Sequence, residues 1–200
     1  SLEEGSGIMA YAMEKGVVFF DTAQLYKTYE YIRLASQKTG IDPVVSTKSY
    51  AYDKEGAMEA LEEARKGLDR DVVEIFMLHE QESRLTLKGH REALEYYLNE
   101  KEKGRIGAVG VSTHNVEVVE TAAGMTEIDI VHPIYNMTGI GINDGTSADM
   151  EKAISKASDS GKGIFTMKPL GGGSLISEYS DSMAFVLGND NIHSVAVGMR

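Results

Sequence analysis

Seven short apolar runs, spaced by segments of helical periodicity, constrain this chain more than any other feature. They are 17–20, 43–47, 72–78, 106–111, 128–131, 164–167 and 192–197. Continuous rather than alternating apolar runs suit strands buried on both faces, as in a parallel sheet. The intervening segments 3–15, 29–38, 55–68, 87–103, 116–123, 148–160 and 182–187 read as helices. In 55–68, Ala57, Ala60, Leu61, Ala64 and Leu68 share one face. Gly16, Gly40, Gly104 and Gly161 stand where a helix should stop.

Strands alternating with helices imply βαβ units. No long linker or low-complexity stretch interrupts the series, so residues 1–200 read as a single domain. A parallel barrel repeats the unit eight times over about 250 residues. This chain opens on a helix and closes on a strand. The expected fold is therefore an α/β (β/α)8 TIM barrel lacking its first strand and last helix here. An open doubly wound sheet is disfavoured, because no Gly-x-Gly-x-x-Gly follows a first strand.

Composition narrows the partners. The net charge of −11 disfavours duplex nucleic acid or an anionic membrane, which need clustered Lys and Arg. The absence of cysteine excludes disulfides, thiolate metal sites and cysteine nucleophiles within the chain. No apolar run approaches the roughly 20 residues that span a bilayer. The acidic start does not resemble a secretory signal. A cytoplasmic enzyme acting on a small molecule is the expectation.

In a parallel barrel, chemistry sits at the C-terminal ends of the strands. Asp21, Lys48, His79, Ser112, His132 and Lys168 stand at six such ends. A single Asp or Lys there is an ordinary turn residue or cap, and it is the convergence that points to a site. Tyr26 follows Asp21 by five residues. A phenol with an unperturbed pKa of about 10 becomes a better acid beside an ammonium. Lys48 can supply that charge, Asp21 can hold Lys48, and His79 can hydrogen-bond the same substrate oxygen. Such a set protonates a developing alkoxide. Tyr50, in the loop after Lys48, and His114 are candidates to line the substrate pocket. Tyr29, Tyr31, Tyr96 and Tyr97 read as packing, His90 and His193 as surface or structural groups, and the carboxylates of 59–63 as a solvated helix face.

The ordered set FFDTAQLY, VVSTKS, FMLHE, GAVGVSTHN, FTMKPLGGG and SVAVGM resembles the aldo-keto reductase family over residues 8–200. It is most similar to a bacterial branch with Met-Lys-Pro-Leu-Gly-Gly, whose members often carry an appended iron–sulfur domain. The resemblance implies a (β/α)8 barrel that binds NADPH across its mouth and reduces aldehydes or ketones to alcohols. It implies that Tyr26 is the general acid, tuned by Lys48 and Asp21, and that His79 orients the carbonyl. Ser112 and Thr113 would hold the nicotinamide carboxamide, with His132 where the family has glutamine. Met167 would replace the aromatic residue that stacks on the ring. Lys168, Leu170 and Gly172 would lie along the pyrophosphate, and Arg200 near a 2′-phosphate. The family's first strand would precede Ser1, and its adenosine loop would follow Arg200.

Two other readings use the same residues. His79, His114 and His132 could ligate zinc in a barrel hydrolase, but no His-x-His pair or late acidic ligand accompanies them. Alternatively the barrel binds nicotinamide nucleotide without catalysis, which leaves the Asp21, Tyr26, Lys48 and His79 set without a purpose.

Overall fold

The computed structural model describes residues 1–199. Arg200, expected at a 2′-phosphate, lies outside the described residues. Contacts divide the chain into two compact units. The first comprises residues 1–78, 90–109 and Met199, and the second residues 79–89 and 110–198.

In the first unit, α1 (Leu2–Glu14) leads to β1 (Phe19–Asp21), a one-turn 3-10 helix (Gln24–Tyr26) and α2 (Tyr29–Thr39). Then follow β2 (Val44–Ser49) and α3 (Lys54–Leu68). The strand β3 (Val73–Gln81) runs from this unit into the second. The parallel register pairs Asp21 with Ser46, Lys48 with Met77 and Ser49 with Leu78. The Val73 amide donates to the Arg105 carbonyl, just ahead of β4 (Ile106–Thr113), at 3.0 Å. Gly107 leaves room for this approach, since a Cβ there would stand 2.6 Å from the Glu74 carbonyl oxygen. The face predicted for α3 is the one buried: Ala57, Ala60, Leu61 and Ala64 are fully covered and Leu68 nearly so. Alanines on that stripe let the helix sit close to its neighbours.

In the second unit, the end of β3 is followed by α4 (Arg84–Gly89). The end of β4 leads to α6 (Val116–Ala123), β5 (Ile130–Pro133), α7 (Ser147–Asp159) and β6 (Gly163–Met167). A 3-10 turn over Gly171–Gly173, α8 (Tyr179–Leu187) and β7 (Ser194–Ala196) complete it. Parallel pairing runs β4-β5-β6-β7, with Ser112 beside His132 and Met167 beside Ala196. The helix α7 opens on a capping box: the Thr146 side chain accepts from the Asp149 amide and the Asp149 carboxylate answers the Thr146 amide.

The helix expected over 87–103 is two helices, α4 and α5 (Arg91–Glu102), parted at Gly89 and His90. Capping starts α4 early. The Ser83 hydroxyl accepts from the Thr86 amide, and the Thr86 hydroxyl accepts from the amides of Glu82 and Ser83. Gly89, which has the weakest helical preference apart from proline, then ends it. The strands also run further than their apolar stretches. Asp21, Lys48, His79, Ser112 and His132 fall within the last three residues of their strands rather than beyond them, and Lys168 alone of the six follows its strand. Among the described residues no helix is long and apolar enough to cross a membrane.

Candidate active site

Lys48 carries the charge at the end of β2. Only 2% of its side chain is exposed, and its ammonium donates to Asp21 Oδ2 at 2.6 Å and to the Thr22 carbonyl at 2.8 Å. Burial pushes the Lys48 pKa down, and the nearby Asp21 charge and hydrogen bond push it back up. The ammonium also stands 5.4 Å from the centroid of the Tyr26 ring. The three sequence-predicted groups Asp21, Tyr26 and Lys48 are thus brought together in the first unit.

Tyr26 is half exposed, whereas Tyr29 is buried. The Tyr29 hydroxyl pairs with the Thr47 hydroxyl at 2.8 Å, and burial pushes its pKa up to about 12. Tyr29 is a packing residue, as read from sequence, and Tyr26 is the phenol that solvent or a substrate can reach. The loop bearing it is closed at its base by a bond between the Thr22 and Thr28 hydroxyls. Tyr50 follows β2 directly and is 45% exposed, so its ring is open to a ligand.

Glu63 does more than the sequence reading gave it. It lies on the partly exposed face expected of it, with 39% of its side chain exposed, and it also accepts from Gln24 Nε2 and from Lys27 Nζ, both at 2.7 Å. Those bonds hold its carboxyl below the usual carboxylate range. The sequence signal was faint: Glu63 flanks the buried stripe of α3, but nothing separates it from Glu59 and Glu62 by type.

In the second unit, His79 is buried in β3, and its carbonyl accepts from the Gln81 side chain at 3.2 Å. The Ser112 hydroxyl accepts from the Glu80 amide at 2.8 Å, and the Thr113 hydroxyl donates to the Gln81 carbonyl at 2.6 Å. Both side chains are fully buried and tie β4 to the end of β3. His132 is also buried, stacked on Phe165 at 3.9 Å between centroids. Its Nδ1 meets the Phe165 carbonyl at 2.7 Å. A carbonyl only accepts, so Nδ1 carries the proton.

Lys168 is exposed and left-handed, with φ 55. Its ammonium meets His114 Nε2 at 3.1 Å, and His114 Nδ1 faces Glu80 Oε1 at 3.9 Å. Because an ammonium only donates, Nε2 accepts and Nδ1 is protonated. Burial and the Lys168 charge push the His114 pKa down, with His132 acting in the same direction and Glu80 against it. The Lys168 contact takes the lone pair that a metal would need. Among the described residues no three His, Cys, Asp or Glu side chains are grouped to hold a metal ion.

Met167 ends β6 half-buried, and Leu170 is half-buried three residues on. Gly171, Gly172 and Gly173 all have positive φ, at 56, 68 and 110, and nothing lies within 4 Å of where a Gly172 Cβ would be. Open glycine backbone beside an exposed ammonium fits an anionic phosphate group.

A family model described as Aldo/keto reductase family matches residues 1–190. The chain is 24% identical over 174 residues to methylglyoxal reductase DkgA of Yersinia pestis, covering 82% of this chain and 62% of that protein. The Escherichia coli O157:H7 protein of the same name is 24% identical over 167 residues, with 78% and 60% covered. The chain therefore spans about three fifths of the length of these curated relatives. Among solved structures, a candidate aldo-keto reductase of Pseudomonas aeruginosa matches with TM-score 0.81 at 22% identity, over 100% of this chain and 78% of that one. The holo form of an aldo-keto reductase of Bacillus halodurans matches with TM-score 0.77 at 17% identity, over 100% and 77%. The fold is the (β/α)8 fold of these proteins, with seven of its strands among the described residues.

Proposed function

Given that this chain belongs to the aldo-keto reductase family, we propose that it reduces aldehyde or ketone carbonyls to alcohols, with NADPH as reductant and Tyr26 as general acid. The observation that carries this is the half-exposed Tyr26 ring 5.4 Å from the Lys48 ammonium, with Asp21 holding that ammonium at 2.6 Å. When bound, a reduced nicotinamide dinucleotide, held by the residues assigned to it below, would supply the hydride equivalent for the reduction. Tyr26 gives its phenolic proton to the carbonyl oxygen. The Lys48 charge stabilises the phenolate left behind. Asp21 keeps Lys48 charged against the burial that would discharge it. His79 is assigned to orient the carbonyl, and Tyr50 and His114 are assigned as substrate contacts.

The residues present fit the cofactor's chemistry at the β6 end. Met167, Lys168, Leu170 and Gly172 are assigned to it as accessible contacts, where the ammonium offsets phosphate charge. Ser112, Thr113 and His132 are assigned as buried polar groups at the ends of β4 and β5. The name of the curated relatives makes methylglyoxal the first substrate to try. NADPH oxidation should be steady with methylglyoxal and simple aldehydes and should vanish in Tyr26→Phe. Unchanged turnover in that variant would remove Tyr26 from its role.

A further inference from the structure

Tyr26 stands on a turn with little stability of its own. The 3-10 turn Gln24–Tyr26 buries none of its residues, its N-cap Ala23 offers no capping side chain, and Lys27 behind it is left-handed at φ 56. Single 3-10 turns have poor hydrogen-bond geometry. The placement of the phenol must therefore come from attachments outside the turn.

Two of those attachments meet on one carboxylate. The Gln24 side-chain nitrogen donates to Glu63 Oε2, and the Lys27 ammonium meets Glu63 Oε1, each at 2.7 Å. One side chain of α3 thus grips the residue two before Tyr26 and the residue one after it. The Gln24 oxygen accepts from the Ser49 hydroxyl at 2.7 Å. Ser49 neighbours Lys48 in β2, so Gln24 also links the turn to the strand that carries the ammonium.

We propose that Glu63 is a positioning residue for Tyr26, setting where the phenol stands relative to Lys48. This rests on the reading of Tyr26 as proton donor. Glu63 touches no reacting atom. Its pair with Lys27 is open to solvent, with 69% of the lysine and 39% of the glutamate side chain exposed. Such pairs contribute little to stability. A misplacement of about 1 Å, by contrast, can cost about a hundredfold in rate. A large effect on turnover with a small effect on folding is the signature of positioning.

The test compares Glu63→Ala, Glu63→Gln and Tyr26→Phe in the full chain, using NADPH and methylglyoxal, with 13C-labelled tyrosine rings observed by NMR. Glu63→Ala should lower kcat about tenfold to a hundredfold with KM within about twofold and the Tyr26 ring signal displaced. Glu63→Gln keeps an acceptor for Gln24 but no charge for Lys27, and should fall between. Wild-type kcat in Glu63→Ala, with Tyr26→Phe inactive, would overturn the proposal. A Tyr26 signal unmoved by Glu63→Ala would overturn the clamp whatever the turnover. Wild-type turnover in Tyr26→Phe would instead overturn the role of Tyr26, while a displaced ring signal would still support the clamp.

Discussion

The Lys48 ammonium lies 2.6 Å from Asp21 Oδ2 with 2% of the lysine side chain and 16% of the aspartate exposed. A buried ion pair is costly to break from one side, because the remaining charge is stranded. Asp21→Asn leaves Lys48 a neutral amide oxygen in place of the carboxylate, beside the Thr22 carbonyl. The variant should be less stable by about 1–3 kcal/mol, because a charge-assisted bond becomes a weaker one and the buried ammonium loses its counter-charge. It should also lose most of its turnover, because Lys48 discharges more readily. Urea unfolding and the pH dependence of kcat check the two halves separately.

The same pair gives an alkaline signature. Burial lowers the folded-state pKa of Lys48 below 10.5. Between the folded and unfolded values the unfolded chain binds more protons, so stability rises with pH across that window. Below the window the cost of burying the ammonium is present in full. Lys48→Met should remove this rise. Unfolding free energies of wild type and variant at several alkaline pH values should keep a constant difference if Lys48 contributes nothing, and a difference that changes with pH if it does.

Much of this was legible beforehand, for a physical reason. Buried parallel strands need continuous apolar runs, so Phe19–Phe20, Val44–Val45 and Ile164–Phe165 announce themselves. Polar residues at strand ends such as Asp21 and Lys48 are conspicuous because they interrupt those runs. The helix break at Gly89 was missed because local bonds of Ser83 and Thr86 decide it, and many Ser and Thr residues make no such bonds. Glu63 was missed because its partners, Gln24 and Lys27, lie 39 and 36 residues away in sequence. Periodicity reports which face of a helix is buried, not which exposed carboxylate meets a distant turn. The bond from Lys168 to His114, across 54 residues, was hidden for the same reason.

His114 should show an acid signature. Its folded pKa lies below 6.5, chiefly through burial and then through Lys168. In the window beneath 6.5 the unfolded chain binds more protons, so the His114 contribution is complete above 6.5 and is lost as pH falls toward the folded value. Protonation also removes the acceptor that Lys168 uses at 3.1 Å and sets two cations together. His114→Gln keeps an acceptor without a titrating charge. Its stability should vary less with pH between about 5 and 7, the range where histidine titrates. Parallel pH dependence in the two proteins would show that His114 does not supply the effect.

Two helical glycines should respond in opposite directions to the same substitution. Alanine is favoured over glycine in a helix interior by about 0.8–1 kcal/mol. At Gly7 in α1 nothing lies within 4 Å of an added Cβ, so Gly7→Ala should collect that gain and raise Tm. At Gly67 in α3 the added Cβ would stand 2.8 Å from Tyr29 Cβ and 3.1 Å from its ring. Tyr29 cannot swing away freely, because it is buried and its hydroxyl is held by Thr47 at 2.8 Å. Overpacking of this kind costs about 1–3 kcal/mol and should outweigh the helical gain. Gly67→Ala should therefore lower Tm. Because Thr47 precedes Lys48 in β2, Gly67→Ala should also lower kcat, whereas Gly7→Ala should leave it unchanged. Thermal melts and steady-state kinetics on the two variants read both effects, and a rise in Tm for Gly67→Ala would show that α3 and Tyr29 part more easily than this packing allows.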